Sequence, residues 1–386
     1  MKGLNYKISV IIFLAIAAQV FVGCSESDDN TPNNTTQVEA SFAINDSDNL
    51  LVGQVITFTN TSTFEGSNIN YTWNFGDESQ TSSQENPTHI YEELGDYVVT
   101  LTASVDSMED VFSEELILSL TSDIAGRNTL TEELAQLDDK IMICAHRGQH
   151  ENAPENSLLS ITNAINQGVR MVELDVRQTK DGELVLMHDA TIDRTSNGSG
   201  EIDEMTLQEL QQFNLFKDDG TITSEIIPSL REVLTLARGE IYIDIDIDNN
   251  KAPYTKVYQL VKQYGMLNQV MFYSSEFADI NGLLQLDSNV YAMPIIRNDN
   301  DFNSYDNSSL SINIMHYNNT TFTSELVSAG KQNGWYIFKN AYVNSDDSPT
   351  TDANGQINIV IDLEGDIIQT DYPTQVKNFL VNQNLN

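Results

Sequence analysis

The chain has 386 residues, enough for two or three domains and a sizeable buried core. Its 57 acidic side chains against 19 lysines and arginines give a formal net charge of −38. That field repels phosphate backbones and anionic lipid surfaces, which argues against nucleic-acid binding and electrostatic membrane docking. Hydrophobic content of 40% with 8% aromatics belongs to a folded chain, because an acidic disordered one has little of either.

Lys2 and Lys7 lead into an apolar run from Ile8 to Val22, a charged segment followed by a hydrophobic one too short and too early for a stable span. Residues 1–23 therefore read as a signal peptide. The run ends in Phe21-Val22-Gly23-Cys24, which resembles a lipobox with Phe in the usual Leu position and implies a mature chain starting at a lipidated Cys24. With Cys24 used in this way, Cys144 has no disulfide partner. Residues 24–37 are polar throughout and read as a solvated tether. The acidic stretch Ser25-Glu26-Ser27-Asp28-Asp29 resembles the surface-export signal of Bacteroidota lipoproteins. It implies a lipid anchor in the outer membrane and exposure on the cell surface, with the periplasmic face as the alternative.

Residues 38–120 carry short alternating runs such as Gln54-Val55-Ile56-Thr57-Phe58 and Tyr97-Val98-Val99-Thr100-Leu101-Thr102, separated by Gly, Asn and Asp, the pattern of a small antiparallel sandwich. Tyr71-Thr72-Trp73-Asn74-Phe75-Gly76-Asp77, then Asn86-Pro87-Thr88-His89-Ile90-Tyr91, then Gly95-Asp96-Tyr97 resemble a PKD domain, an all-β sandwich of immunoglobulin type. On that reading Trp73 and Phe75 fill the core, Gly76 permits the turn, and His89 is a hydrogen-bonding corner rather than a ligand. No catalysis is expected here; a polysaccharide or a protein is the candidate contact. Residues 121–140 hold a helical patch from Leu130 to Leu137 after the breaker Gly126 and read as a connector.

From 141 to 386 strand-like apolar runs alternate with amphipathic helical stretches, the pattern of a parallel α/β fold. The runs are Ile141 to Ala145, Met171 to Val176, Leu184 to Met187, Ile241 to Ile247, Val270 to Tyr273, Val290 to Ile296, Ile312 to His316, Trp335 to Phe338 and Ile367 to Thr370. That is one more than a barrel of eight needs, and the surplus is expected among the three between Val290 and Phe338. Polar residues sit at the ends of these runs. Strand side chains alternate faces, so His146 shares a face with Met142 and Cys144, Glu173 shares one with Asp175, and Asp244, Asp246 and Asp248 stand together. The same parity puts His188 in line with Leu186. Carboxylates so paired repel each other unless a cation neutralises them, and hard oxygen donors without Cys or a His cluster point to Ca²⁺ or Mg²⁺. Histidine titrates near neutrality, as acid and base chemistry requires.

Ala145-His146-Arg147-Gly148, Ala153-Pro154-Glu155-Asn156-Ser157, Glu173-Leu174-Asp175-Val176, Lys180-Asp181-Gly182, His188-Asp189, Arg194-Thr195 and Thr370-Asp371-Tyr372-Pro373 occur in order across roughly residues 141–381. Together they resemble the glycerophosphodiester phosphodiesterase family. The resemblance implies a TIM-type (β/α)8 barrel with a small insertion after its third strand, here Thr191 to Pro228. It implies hydrolysis of glycerophosphodiesters to glycerol 3-phosphate and an alcohol, with His146 and His188 as the acid/base pair, Arg147 as a phosphate contact, and Glu173 and Asp175 as metal ligands. A third ligand comes from the family's fourth strand, where Asp246 stands, with Asp248 as the fallback. The lysine expected shortly after that carboxylate is missing, since Ile247 and Asp248 occupy its place. Ile337-Phe338-Lys339-Asn340 replaces the family's late Trp-Thr pair, and Lys339 is expected as an ordinary strand-end surface lysine. Two alternatives accompany this reading. A phospholipase D-like enzyme on the same barrel would need an apolar lip at its mouth, and a non-catalytic adhesin or carbohydrate-binding lipoprotein would have lost the ligands and histidines that survive here.

Overall fold

Trp73, Phe58, Phe42 and Leu101 alternate with polar residues along their strands, so each strand has one face to bury, and two sheets close on those faces. One is Phe42–Ile44, Val55–Asn60 and Thr88–Ile90; the other is Ile69–Asn74, Asp96–Val105 and Met108–Ile117, all pairings antiparallel. Gly76 turns with φ +80°, and a Cβ there would lie 2.6 Å from the Val98 carbonyl oxygen, so only glycine fits. His89 stacks on Phe75 and its Nε2 lies 2.6 Å from Asp77 Oδ2, a polar corner on the sandwich. The computed structural model describes residues 38–386 except 46, 48, 49, 66–68, 123, 125, 126, 138, 139, 248–250 and 342–352. The signal segment, Cys24, the tether, Gly126 and Asp248 lie outside the described residues.

Among the described residues, eight parallel strands close a barrel: β1 (Met142–Ala145), β2 (Met171–Gln178), β3 (Tyr242–Asp246), β4 (Val270–Ser274), β5 (Tyr291–Ile296), β6 (Ile314–Tyr317), β7 (Tyr336–Asn340) and β8 (Ile367–Thr370). The last pairs with the first, and β1 with β2, which completes the ring. Helices follow each strand, several started by a capping box such as Ser229 with Glu232, whose side chains satisfy the otherwise unpaired first-turn amides. Strand residues of one parity, including Val172, Leu174, Ile243 and Ile245, pack outward against those helices, while Met142, Met171, Tyr242 and Ile367 fill the barrel interior.

The strand count differs from the sequence expectation at one place. The three runs between Val290 and Phe338 are all barrel strands; the surplus is Leu184–Leu186, which pairs antiparallel with β2. Buried on both sides, it has the continuous apolar run of a parallel barrel strand, which is why periodicity alone does not distinguish it. The insertion therefore lies between the second and third barrel strands, and Asp246 belongs to the third, not the fourth. Thr121 to Lys140 is more than a connector. Leu130 and Leu134 of its helix Leu130–Ala135, followed by Leu137, pack into the barrel interior. Leu130 N–H donates to the Asn268 carbonyl just before β4, which sets the helix at the N-terminal end of the barrel.

Candidate active site

β1 runs out into His146-Arg147-Gly148 at the C-terminal mouth of the barrel. Arg147 has φ +53° and Gly148 φ +82°, and a Cβ at 148 would lie 2.3 Å from Ser160 Oγ, so the tight turn depends on that glycine. The turn aims the Arg147 amide at Glu173 Oε2, 3.1 Å away. Its guanidinium donates to Glu155 Oε1 at 3.0 Å and stands 3.3 Å from Asp175 Oδ2. His146 Nδ1 is 2.5 Å from Asp371 Oδ1 at the end of β8, and its Nε2 is 3.7 Å from Glu173 Oε2. Burial pushes the His146 ring below the ordinary histidine range and outweighs the Asp371 carboxylate, which pulls the other way.

β2 and β3 pair so that Glu173 lies opposite Asp244 and Asp175 opposite Asp246. Four carboxylates thus face one cavity of about 410 Å³. Burial, with Asp175, Asp244 and Asp246 nearby, drives Glu173 well above the usual carboxylate range, and burial with Asp246 and Asp175 does the same to Asp244. Burial also disfavours ionised Asp175, but the Lys251 and Arg147 charges prevail and hold it at about 2. Asn156, with φ +52°, donates through Nδ2 to Asp175 Oδ2 at 3.0 Å and accepts the Asp175 amide at 3.2 Å, fixing that side chain.

His188 reaches the mouth by a route the sequence does not announce. It ends no barrel strand; β2 continues past Asp175 to Gln178, turns, and returns as Leu184–Leu186, with Leu186 opposite Val176 and Met187 N–H donating to the Asp175 carbonyl. The hairpin brings His188 back to the level of Asp175. Arg177 holds the His188 carbonyl through Nε at 3.0 Å and Nη2 at 2.6 Å, and His188 Nδ1 lies 2.7 Å from Asp189 Oδ1. Arg194 joins Asp189 to Glu155, closing a ring of charge behind Arg147.

Glu173, Asp175 and Asp246 each offer a ligand atom, and these lie within 4.8 Å of one another. Hard carboxylate oxygens that converge in a largely buried mouth, where their like charges repel one another, suit a divalent cation such as Ca²⁺ or Mg²⁺, so the residues fit the group. Asp244 also lines the cavity. A lysine does reach these carboxylates from further along the chain: Lys251 donates to Asp175 Oδ1 at 2.9 Å and to Asp246 Oδ2. Lys339 is not a surface residue. On the outward parity of β7 and 4% exposed, it donates to Asn319 Oδ1 at 2.6 Å and to the Asn340 carbonyl, and burial lowers it to about 8.

The far wall is neutral: Tyr273, Met293, His316, Asn340 and Gln369 from β4 to β8. His316 is buried, pushed to about 3 by desolvation and by the Lys339 charge, and its Nδ1 has no hydrogen-bond partner. The sequence reading passed over it, although its inward parity at the end of an apolar run is the signal that singled out His146. His150 was also missed; its Nδ1 lies 2.9 Å from Asp218 Oδ2 of the insertion and its Nε2 3.6 Å from Asp371. Burial works against its charged form, yet those two carboxylates raise it to about 9.

Residues 146–374 match the glycerophosphoryl diester phosphodiesterase family. The chain belongs to this family. Residues 41–107 match the PKD domain. A glycerophosphodiester phosphodiesterase from Caldanaerobacter subterraneus subsp. tengcongensis is 35% identical over 141 residues, 35% of this chain and 58% of that protein. YhdW of Bacillus subtilis is 29% identical over 237 residues, 59% of this chain and 96% of that one. A crystal structure of a glycerophosphoryl diester phosphodiesterase from Parabacteroides distasonis superposes with a TM-score of 0.58 at 26% identity, covering 67% of this chain and 95% of its own.

Proposed function

We propose that this chain hydrolyses glycerophosphodiesters to glycerol 3-phosphate and an alcohol, with a divalent cation held by Glu173, Asp175 and Asp246. The observation that carries the reading is the meeting, in one cavity, of His146, His188 and Arg147 with a converging carboxylate triad. A bound Ca²⁺ or Mg²⁺ would supply positive charge to the phosphoryl oxygens. Arg147, fixed by Glu155, adds a second positive group that draws the diester in and orients it. His146 and His188 move the protons: one takes the proton of the attacking oxygen, and the other gives a proton to the departing alcohol oxygen. Each ring meets a carboxylate at Nδ1, Asp371 for His146 and Asp189 for His188, which holds a proton there and leaves Nε2 as the nitrogen that exchanges protons.

The cellular setting forms part of the proposal. Lipidated at Cys24, the protein is anchored in the outer membrane and faces the cell surface, or alternatively the periplasm, and the sandwich contacts a polysaccharide or a protein. The catalytic reading is tested by assaying a panel of glycerophosphodiesters with and without chelator. Release of glycerol 3-phosphate that chelator abolishes and Ca²⁺ or Mg²⁺ restores is the expected outcome. Turnover untouched by thorough chelation removes the metal from the reading, and no turnover of any diester with metal present removes the activity.

A further inference from the structure

The acidic half of the barrel mouth carries a cation of its own. Glu173 and Asp175 on β2 face Asp244 and Asp246 on β3, and carboxylates packed this way cannot all ionise in a buried mouth without a positive partner. Lys251 is that partner, with Nζ donating to Asp175 Oδ1 at 2.9 Å and to Asp246 Oδ2. Both acceptors belong to the triad whose ligand atoms converge within 4.8 Å. An ammonium and a divalent ion therefore draw on the same two carboxylates.

The lysine is also attached in a way that lets it leave. Its backbone is held outside the mouth, where Gln178 N–H donates to the Lys251 carbonyl at 3.1 Å at the far end of β2. Only the four-carbon stem reaches inward, and it ends on the two carboxylates, so rotation about its own bonds is the movement that would free them without moving the backbone. Arg147 differs. Its stem starts from a strained turn, and its guanidinium is tied to Glu155 as well as standing beside Asp175.

We propose that Lys251 is a displaceable counter-ion of the metal centre: it bridges Asp175 and Asp246 in the metal-free protein and is expelled when a divalent cation takes them. The proposal rests on the reading of Glu173, Asp175 and Asp246 as metal ligands. Its consequence is a lysine that keeps the empty centre folded at the cost of metal affinity. A side chain that merely packed there would leave affinity unchanged when replaced.

The test compares the full-length wild type with Lys251→Met and Lys251→Arg, each stripped of metal and titrated with Ca²⁺ and with Mg²⁺ by calorimetry, with thermal unfolding followed in parallel. Lys251→Met removes the competing charge and should bind the cation about ten-fold more tightly or better. Its metal-free unfolding temperature should fall and rise further than that of the wild type on adding cation, because a ligand of the folded state stabilises by mass action. Lys251→Arg keeps the charge and should stay near wild-type affinity. Equal or weaker cation binding by Lys251→Met overturns the proposal. Absence of divalent binding by the wild type is a different result, and removes the metal reading beneath it. Should metal-free Lys251→Met fail to fold, Lys251→Gln gives the same comparison with a neutral polar head.

Discussion

His146 and His188 are held alike and exposed differently. Each ring lies against a carboxylate at Nδ1, but the His146 side chain is 17% exposed beneath the mouth, whereas His188 is 41% exposed on its returning hairpin. The shared arrangement suits both to proton transfer through Nε2. Removing a general acid or base costs about 10² to 10⁴ in rate, so His146→Ala and His188→Ala should each lose that much on natural diesters while folding and binding metal as before. A nitrophenol-leaving diester needs no protonation of its leaving group. It should partly rescue the variant that lacks the acid and leave the other as slow as on natural substrates. Near-normal turnover of natural diesters by either variant would show that its ring takes no part in proton transfer.

Two elements do more than their local sequence suggests. The hairpin of β2 and Leu184–Leu186 gives the mouth a carboxylate, Asp175, and then a histidine, His188, from a single excursion of the chain. The helix Leu130–Ala135 closes the opposite end, with Leu130 and Leu134 buried among Met142, Met171, Tyr242 and Ile367. Leu134 is 3% exposed, and truncating a leucine so buried removes its contacts and leaves a cavity. Leu134→Ala should therefore lower unfolding stability in a denaturant titration by about 2–5 kcal/mol. Because the helix sits at the N-terminal end of the barrel, away from the mouth, kcat/KM of the folded variant should stay at the wild-type value. A drop in kcat/KM as large as the stability loss would mean that the closing helix also shapes the site.

At the scale of the whole molecule, sandwich and barrel are joined by backbone and side-chain bonds: Leu120 N–H to the Gln263 carbonyl at 2.7 Å, and Gln263 Nε2 to Asp96 Oδ1 at 2.9 Å. The net charge of −38 leaves few cations, and four of them gather around one mouth: Arg147, Arg194 and Lys251 are each paired with carboxylates there, and Arg177 holds the His188 carbonyl. If Cys24 carries lipid, wild-type protein should partition into detergent and Cys24→Ala should be released as soluble secreted protein. Unchanged partitioning of that variant would mean that the chain is not anchored through Cys24.

Much of the barrel and its acidic centre follows from local rules. A period of two fixes which strand residues share a face, so the company of Glu173 with Asp175, of Asp244 with Asp246, and of His146 with Cys144 is legible before any strand is paired. Hydrophobic periodicity likewise separates the sandwich from the barrel. What it leaves open is the partner and direction of a strand, because Leu184–Leu186 is buried on both sides whether its neighbour runs with it or against it. Only the folded sheet made it the returning arm of a hairpin and moved the insertion and Asp246 one strand earlier. Lys251 was illegible for a related reason: it lies beyond the end of β3, outside any periodic element, and a long flexible side chain meets its carboxylates through space. His316 had the same parity signal as His146, but only closure of the ring brought β6 across the cavity from β1. Faces are set by neighbours along the chain, whereas a site assembled from strands far apart in sequence is set by which edges meet.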